Sequence, residues 1–235
     1  MSSYIHNDNP KLAKEYILKH SVSLNPKTYN IFLNYLSKNR SFLETKSFFE
    51  MMEKVERVNV RTFTIYIGAL SKLKSKEGAL EADQVFDNMK TSPNLFTYNA
   101  LLSAWSKSKS YDSIDRCKDI LTEMRSKSIT PDVISYSYYV NSIAHHDSAC
   151  AIRTLDKIHR EERVVFDVIS YFSLLCIFAS KEDVSASLNI MKMMRKYNIK
   201  PDKRIVDLVF GVVSRSCLNS VEKEREHRFL LSLVQ

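Results

Sequence analysis

Short polar side chains recur along this chain at a spacing that suits hydrogen bonding to successive groups of a repetitive ligand. Each is the third residue of a phrase that begins with Thr or Ser and continues with an aromatic residue, and the four are Asn30, Thr64, Asn99 and Ser137. Phe172 and Asp207 hold the same place later in the chain. Successive members lie 34, 35, 38, 35 and 35 residues apart. A period of this size predicts one such side chain per structural repeat.

Apolar residues follow each phrase at helical spacing, and they predict the element that carries it. Phe32-Leu33 and Leu36 in the first unit, like their counterparts later, mark one stripe of a short helix. A polar break and a second periodic run follow, so each unit predicts a helical hairpin. Small residues early in the second helix allow close approach of the two helices, although Ile152 interrupts their column, which contains Thr45, Ala82, Cys117 and Ser187.

The expected fold is all-α, a right-handed α-solenoid of stacked helix-turn-helix repeats of about 35 residues. The period divides the chain into a partial repeat at the N-terminus, five full repeats and a slightly truncated repeat at the C-terminus. Their bounds are residues 1–25, 26–59, 60–94, 95–132, 133–167, 168–202 and 203–235. Within the partial repeat, residues 12–20 resemble the second helix of a hairpin.

Composition points to a polyanionic partner. The net charge is +8 and the pI is near 9.2, which favours nucleic acid over other ligands, although a solvated basic surface would give the same totals. The four cysteines have no zinc-binding spacing and are expected to be small buried residues in a reducing compartment. No apolar run is long enough to cross a membrane, so no membrane partner is expected.

The sequence offers no catalytic constellation. His145-His146-Asp147 is a poor metal site because adjacent histidines do not share a helix face, and Glu161-Glu162 stands between arginines as a solvated face. There is no Gly-rich phosphate loop and no recognisable nucleophile. We therefore expect no enzyme activity, metal, cofactor or small-molecule substrate.

The chain resembles the pentatricopeptide repeat family. Residues 94–102, Asn-Leu-Phe-Thr-Tyr-Asn-Ala-Leu-Leu, follow its 35-residue pattern, as do residues 131–136, Pro-Asp-Val-Ile-Ser-Tyr, and the junction Lys200-Pro201-Asp202. The resemblance covers roughly residues 10–235. The tetratricopeptide repeat has a similar period, but its Trp-x2-Leu-Gly-x2-Tyr signature is missing and its members generally bind peptides.

The resemblance implies binding of single-stranded RNA, with one nucleotide per repeat. In this family the base is selected by the third residue of the phrase, here called the selecting residue, and by the last residue of the unit, here called the closing residue. The implied pairs are Asn30 with Asn59, Thr64 with Asn94, Asn99 with Asp132, and Ser137 with Asp167. The family's preferences would give pyrimidine-A-U-G, with RNA running 5′ to 3′ from the N- to the C-terminus. Phe172 with Asp202 fits no familiar pair, and Asp207 has no visible closing residue.

Two further columns accompany these pairs. Three residues before each selecting residue are the side chains that the family places against base faces: Lys27, Arg61, Phe96, Ile134 and Ile169, with Arg204 in the last unit. Eight residues after it are Lys38, Lys72, Lys107 and His145, which suit contacts to the phosphate backbone. The alternative is that these lysines only complement the dipole at a helix C-terminus.

The resemblance also implies a setting, a mitochondrion or plastid, where the chain would act in RNA processing, stability or translation. The sequence itself shows no import signal. The broken pair at Phe172 motivates an alternative, a structural repeat protein of an organellar ribosome or a protein scaffold. Either a nuclease or a ribosomal particle would then be a partner. The target transcript is not determined by the sequence.

Overall fold

The structure is a computed structural model that describes residues 25–39 and 42–232. The chain forms two compact units. One comprises residues up to Ser110 together with 126–129, and the other comprises Tyr111–Arg125 and the residues from Thr130 onward. The partial repeat predicted for residues 1–25 falls almost wholly outside the described residues, as does its helix over residues 12–20.

The described residues fold into twelve α-helices and one short 3-10 helix, without a strand. In the first unit the helices are α1 Pro26–Asn39, α2 Phe42–Lys54, α3 Val60–Leu70, the 3-10 turn Ser71–Leu73, α4 Lys76–Asp87 and α5 Leu95–Ser108. In the second they are α6 Asp112–Ser126, α7 Val133–Ala144, α8 Ser148–Glu161, α9 Val168–Ser180, α10 Val184–Lys196, α11 Lys203–Arg215 and α12 Ser220–Ser232. The all-α prediction is confirmed.

In each unit the helices that begin with a phrase stack side by side. Helix α3 packs between α1 and α5, and α9 packs between α7 and α11. Where both helices of a hairpin lie in one unit, the second packs against the first, as α2 does against α1 and α10 against α9. The aromatic of each phrase fills the resulting core: Tyr29, Tyr98 and Tyr171 are at most 1% exposed. Each repeat therefore buries its apolar stripe against its neighbours.

The column of small residues on the second helices is buried as expected, with one correction. Thr45, Ala82, Cys117 and Ser187 are at most 1% exposed. In α8 the fully buried small residue is Ala151, and the neighbouring Ile152 is only partly covered. Ile152 thus lies beside the contact with the first helix, and it does not interrupt the close approach.

The expectation that the cysteines are small core residues is wrong for most of them. Cys117 is buried, Cys150 is partly covered, and Cys176 and Cys217 are exposed, all as free thiols. Cys176 lies four residues after Phe172, one turn later on the same face of α9. In a stack this thin, each helix keeps one face in solvent, so a small residue on a first helix need not be in the core.

Overpacking the helix contact should destabilise the first unit. Ala82 has no exposed surface, so Ala82→Leu forces three extra carbons into a filled space and should cost about 1–3 kcal/mol. Chemical denaturation measures this loss. Leu80→Ala on the same helix is the control, because Leu80 is 44% exposed and its change should stay within about 0.5 kcal/mol. Equal effects of the two variants would show that α4 does not pack as described.

Candidate nucleic-acid interface

Every closing residue in the described chain is the N-cap of the next phrase-bearing helix. The side chain of each accepts a hydrogen bond from the backbone N–H three residues later, which satisfies one of the free donors at a helix start. The caps are Asn59, Asn94, Asp132, Asp167 and Asp202. Sequence reasoning missed this role, although Asn or Asp followed three residues later by Thr or Ser is a signal that could have revealed it.

The first residue of the phrase supplies the partner of the cap. We call its side-chain OH the opening hydroxyl, and four such residues follow a described closing residue: Thr62, Thr97, Ser135 and Ser170. All four are buried. A buried hydroxyl needs hydrogen-bond partners within the protein. For Thr62, Thr97 and Ser170 those partners include the selecting residue of the preceding repeat.

The first such cluster joins Asn30, Asn59 and Thr62. The Thr62 oxygen accepts from the Asn59 backbone N–H at 3.1 Å, and its hydroxyl donates to Asn30 Oδ1 at 2.7 Å. Asn30 Nδ2 donates to Asn59 Oδ1 at 3.2 Å, and that oxygen also accepts from the Thr62 backbone N–H at 3.1 Å. The structure thus brings together the first predicted pair and fixes both amides.

Thr64, Asn94 and Thr97 form the equivalent cluster one repeat later. The hydroxyls of Thr64 and Thr97 lie 2.9 Å apart. Thr97 donates to Asn94 Oδ1 at 3.1 Å, and the same oxygen accepts from the Thr97 backbone N–H. Thr64 also reaches the carbonyl oxygen of Val60 in its own helix at 2.8 Å. The second predicted pair is therefore linked through the opening hydroxyl.

Ser137, Asp167 and Ser170 repeat the arrangement in the second unit. Ser137 donates to Ser170 Oγ at 2.9 Å and reaches the carbonyl oxygen of Val133 at 2.7 Å. Ser170 donates to Asp167 Oδ1 at 2.7 Å, and the Ser170 backbone N–H bonds to the same oxygen at 2.8 Å. The other carboxylate oxygen of Asp167 takes no hydrogen bond from the described residues.

Asn99 belongs to the first compact unit and Asp132 to the second, so each is described within its own unit. Asn99 is 8% exposed on α5. Asp132 caps α7 in a capping box, where Oδ1 accepts from the backbone and the hydroxyl of Ser135 at 2.8 and 2.9 Å. Both residues thus occupy the places that their counterparts occupy elsewhere.

The fifth unit lacks the cluster of selecting residue, opening hydroxyl and closing residue that the first, second and fourth pairs form. Ile205 stands where the other units have an opening hydroxyl, so nothing links the closing residue Asp202 to Phe172 through that position. Instead the Arg204 guanidinium lies over the Phe172 ring, 5.4 Å from its centre, and donates to Asp202 Oδ2 at 2.6 and 3.0 Å. These hydrogen bonds hold the pKa of Asp202 below its ordinary value. The chain's own cation occupies this pair.

The residues predicted to stack on bases are all exposed at the start of their helices. Phe96, Ile134 and Ile169 are 72%, 53% and 70% exposed, and Lys27 and Arg61 are exposed as well. Exposed large apolar side chains at equivalent places mark a contact surface. In the first unit a pocket of about 330 Å³ lies between two of these side chains, and it is lined by Lys27, Asn30, Ile31, Asn34 and Arg61. A selecting residue thus lines a pocket flanked by two cations.

The lysine column has three different environments. Lys38 is exposed, whereas Lys72 Nζ donates to the carbonyl oxygen of Ser37 at the end of the preceding first helix. Lys107 is partly covered, and burial is the main cause that lowers the pKa of its ammonium, with the charges of Lys74 and Lys72 adding to it. His145 is the C-cap of α7. Sequence reasoning missed a second contact like that of Lys72 with Ser37. In it, Lys181 Nζ donates to the carbonyl oxygen of Ala144, at the end of the preceding first helix, at 2.8 Å.

Other kinds of site find little support in the described part of the chain. Residues 25–39 and 42–232 contain no group of three or more His, Cys, Asp or Glu side chains that could hold a metal ion. No helix among them is long and apolar enough to span a membrane.

The repeat geometry agrees with the sequence families that match the chain. The pentatricopeptide repeat domain matches residues 46–108 and 92–145, and the PPR repeat matches residues 27–55. Together these ranges cover about half of the chain. The chain belongs to the pentatricopeptide repeat family.

Two curated pentatricopeptide repeat proteins of Arabidopsis thaliana are similar to it. A mitochondrial pentatricopeptide repeat-containing protein is 29% identical over 119 residues, which cover 51% of this chain and 22% of that protein. The small ribosomal subunit protein mS78 is 29% identical over 121 residues, which cover 48% of this chain and 29% of that protein. The chain thus spans less than a third of the length of each relative.

Solved pentatricopeptide repeat structures share the fold. The crystal structure of PPR10 from maize matches 98% of this chain and 32% of its own, with a TM-score of 0.69 and 20% identity. PPR10 in complex with an 18-nt psaJ RNA element matches 95% of this chain and 35% of its own, with a TM-score of 0.65 and 17% identity. At sequence identities this low, the comparison shows only that the chain shares the fold of these structures.

The environment of Lys107 predicts how its charge affects stability. Its folded pKa lies below the ordinary 10.5, so at neutral pH the folded state carries the ammonium at a cost that the unfolded chain does not bear. Lys107→Met keeps the apolar stem and removes the charge, so its unfolding midpoint at pH 7 should exceed that of the wild type. The gap should narrow as the pH rises through the folded pKa toward 10.5.

Thermal unfolding of both proteins across this pH range measures the gap. Lys38→Met is the control, because Lys38 is exposed and its replacement should leave the midpoint nearly unchanged at every pH. A lower midpoint for Lys107→Met at pH 7 would contradict the prediction, since it would mean that attraction to the helix C-terminus outweighs desolvation.

Proposed function

We propose that the chain binds single-stranded RNA sequence-selectively, with its pentatricopeptide repeats each accepting one base. The observation that carries this proposal is the repeated cluster of selecting residue, opening hydroxyl and closing residue, which presents fixed hydrogen-bonding groups beside exposed stacking residues. Hydrogen bonds to the base edge together with stacking on its face are the means by which proteins recognise unstacked RNA bases. The complex of PPR10 with its RNA element supports it by analogy of fold.

Four selecting pairs give the proposed target. They are Asn30 with Asn59, Thr64 with Asn94, Asn99 with Asp132, and Ser137 with Asp167, and they would prefer pyrimidine-A-U-G from 5′ to 3′. Lys27, Arg61, Phe96, Ile134 and Ile169 would stack on the bases, and Lys38, Lys72, Lys107 and His145 would contact phosphates. The fifth unit would contribute no base selection, because Arg204 already occupies Phe172 and Asp202.

Selection from a pool of randomised single-stranded RNA tests the proposal. We expect enrichment of a pyrimidine-A-U-G core by the full chain. Asn99→Ser leaves a Ser with Asp pair, like Ser137 with Asp167, so it should change the preferred third base from U to G and leave the other positions as they were. Competition among four RNAs that differ only at this base gives the size of the change.

Two outcomes would count against this function. The first is that the selection enriches no sequence, or that the affinity for RNA does not fall as the salt concentration rises. Phosphate contacts by lysines must make the affinity salt-dependent. The second is that Asn99→Ser lowers affinity equally for all four RNAs, which would make Asn99 a structural residue. A matched control is Cys217→Ser, an exposed change between α11 and α12 that lies on no first helix and leaves every selecting pair intact.

We also propose that the chain acts in an organelle, in the processing, stability or translation of RNA. The mitochondrial assignment of one relative and the ribosomal role of the other support an organelle without distinguishing a mitochondrion from a plastid. The similarity to mS78 favours a second candidate function, that of a repeat protein in a small ribosomal subunit. In that setting the RNA contacted would be ribosomal.

Sedimentation of organellar extracts at native salt separates these two functions. A ribosomal protein should migrate with the small subunit and stay there after mild nuclease digestion of messenger RNA. A free RNA-binding protein should remain in light fractions and shift when its target RNA is digested. Migration in light fractions that nuclease leaves unchanged would contradict both.

A further inference from the structure

We propose that the opening hydroxyls of Thr62, Thr97 and Ser170 set which hydrogen-bonding groups the neighbouring selecting pairs present, and thereby determine the class of base that each pair accepts. The inference rests on the proposed RNA binding and adds to it three buried residues outside the selecting pairs. They act as positioning residues, because each is buried and forms hydrogen bonds with the selecting and the closing residue.

The first pair shows how the hydroxyl fixes polarity. The Thr62 oxygen accepts from the Asn59 backbone N–H, and its single proton has two acceptors in reach, Asn30 Oδ1 at 2.7 Å and Asn59 Oδ1 at 3.2 Å. The shorter distance assigns the proton to Asn30 Oδ1. Asn30 must then direct its amide nitrogen toward Asn59 Oδ1. That oxygen is committed to the cap, so the Asn59 amide nitrogen is the group left to point outward.

Both amides of this pair therefore offer only N–H donors to a ligand. Donors suit a base whose Watson-Crick edge carries acceptors close together. Cytosine has O2 beside N3, and uracil has two carbonyl oxygens, whereas guanine presents mainly N–H groups there. The geometry by itself favours a pyrimidine at the first position.

The second pair has the opposite polarity at its selecting residue. The Thr64 proton is used inside the protein, either by Val60 or by Thr97, so the Thr64 oxygen offers only lone pairs outward. Asn94 Oδ1 is held by Thr97, which leaves the Asn94 amide nitrogen as a donor. An acceptor beside a donor matches the amino group and ring nitrogen of adenine or cytosine when the Thr64 oxygen faces the exocyclic amino group, and in that register the carbonyl oxygen of uracil or guanine would repel it.

The fourth pair offers acceptors alone. The Ser137 proton goes to Val133 or Ser170, and the Ser170 proton goes to Asp167. The remaining groups are the Ser137 lone pair and the second carboxylate oxygen of Asp167. Guanine is the base with two adjacent donors on its Watson-Crick edge, its N1–H and its amino group. The opening hydroxyl thus leaves a different set of outward groups in each pair: two donors in the first, an acceptor and a donor in the second, and two acceptors in the fourth.

The fifth unit is the natural contrast. With Ile205 in place of the hydroxyl, no hydrogen bond joins Phe172 to the cap, and the outward oxygen of Asp202 is taken by Arg204. The cap itself survives, since Asp202 Oδ1 still accepts from the Ile205 backbone N–H at 3.0 Å. The hydroxyl is therefore not needed to begin the helix, which leaves its contact with the selecting residue as its particular contribution.

Thr62→Val tests the proposal in the full chain, because valine has the shape of threonine without the hydroxyl. The probes are four otherwise identical RNAs, taken from the selected sequence, that differ only at the first base. Wild type should prefer the pyrimidines over the purines by about tenfold, the size of one net hydrogen bond, and Thr62→Val should reduce this to about twofold or less. Thr62→Ser restores a hydroxyl and should restore the preference.

Two further variants sharpen the test. Ser75→Ala removes an N-cap from the second helix α4, where Ser75 accepts from the Gly78 backbone N–H at 3.1 Å, so it should lower stability and leave base preference unchanged. Ser170→Ala should relax selection at the fourth base by a smaller factor than Thr62→Val does at the first, because Ser137 keeps Val133 as an acceptor.

The outcomes are separable. Relaxed preference confined to the first base, with rescue by serine, supports the proposal. Unchanged preference in Thr62→Val overturns it, and so does an equal loss of affinity for all four RNAs that matches the loss in Ser75→Ala. If the wild-type chain selects no RNA sequence, both the proposed function and the proposed role of the hydroxyls are wrong. If the wild type selects a sequence and Thr62→Val keeps the same base preference, only the role of the hydroxyls is wrong.

Discussion

An α-helix begins with backbone N–H groups that have no partner in the helix, and in this chain the way those groups are satisfied determines much of the rest. At each described junction an Asn or Asp closes one repeat and caps the next phrase-bearing helix, as Asn59 does for α3. The phrase then buries a hydroxyl directly beneath the cap. Because Thr62 is fully buried, its proton must find a protein acceptor, and the nearest belongs to the preceding repeat. One local requirement thus becomes a contact between repeats.

This coupling has a consequence for binding. The selecting side chains Asn30, Thr64 and Ser137 are held by hydrogen bonds within the protein before any ligand arrives, so little rotamer freedom remains to be lost on association. Beside them the stacking residues stand exposed, with Phe96 and Ile169 at 72% and 70%. Such exposure costs hydrophobic free energy in the free protein. The surface therefore combines fixed polar groups with apolar faces that gain from being covered, and flat bases with polar edges match both.

Much of this could be predicted from the sequence, and the limits have physical causes. The period and the apolar spacing predicted the hairpins and the buried phrase aromatics such as Tyr98, because those features depend on positions along one helix. The hydrogen bond from Thr62 to Asn30 joins residues 32 apart and depends on how adjacent helices are rotated, which no local pattern encodes. The exposure of Cys176 was missed for a related reason, since a small residue fits equally well in a core or on an open face. Likewise, Lys72 could be placed near a helix end, but its partner at Ser37 lies on another repeat.

The fifth unit shows that a repeat of this chain folds without the opening hydroxyl. Helix α11 begins normally there, because the Asp202 carboxylate alone can accept from the Ile205 backbone, and Val206 is buried at 7% exposure in the place of the phrase aromatic. The backbone needs only a cap and an apolar residue, and both are present. A selecting residue needs more, namely a buried hydroxyl that ties it to the cap and leaves defined groups facing outward. Once Ile205 removes that tie, an aromatic ring at Phe172 is tolerated, and the free carboxylate oxygen attracts the nearest cation, Arg204. Under the proposed role of the hydroxyls, loss of one such position would remove base selection from a repeat while the cap and the apolar residue still form its helix.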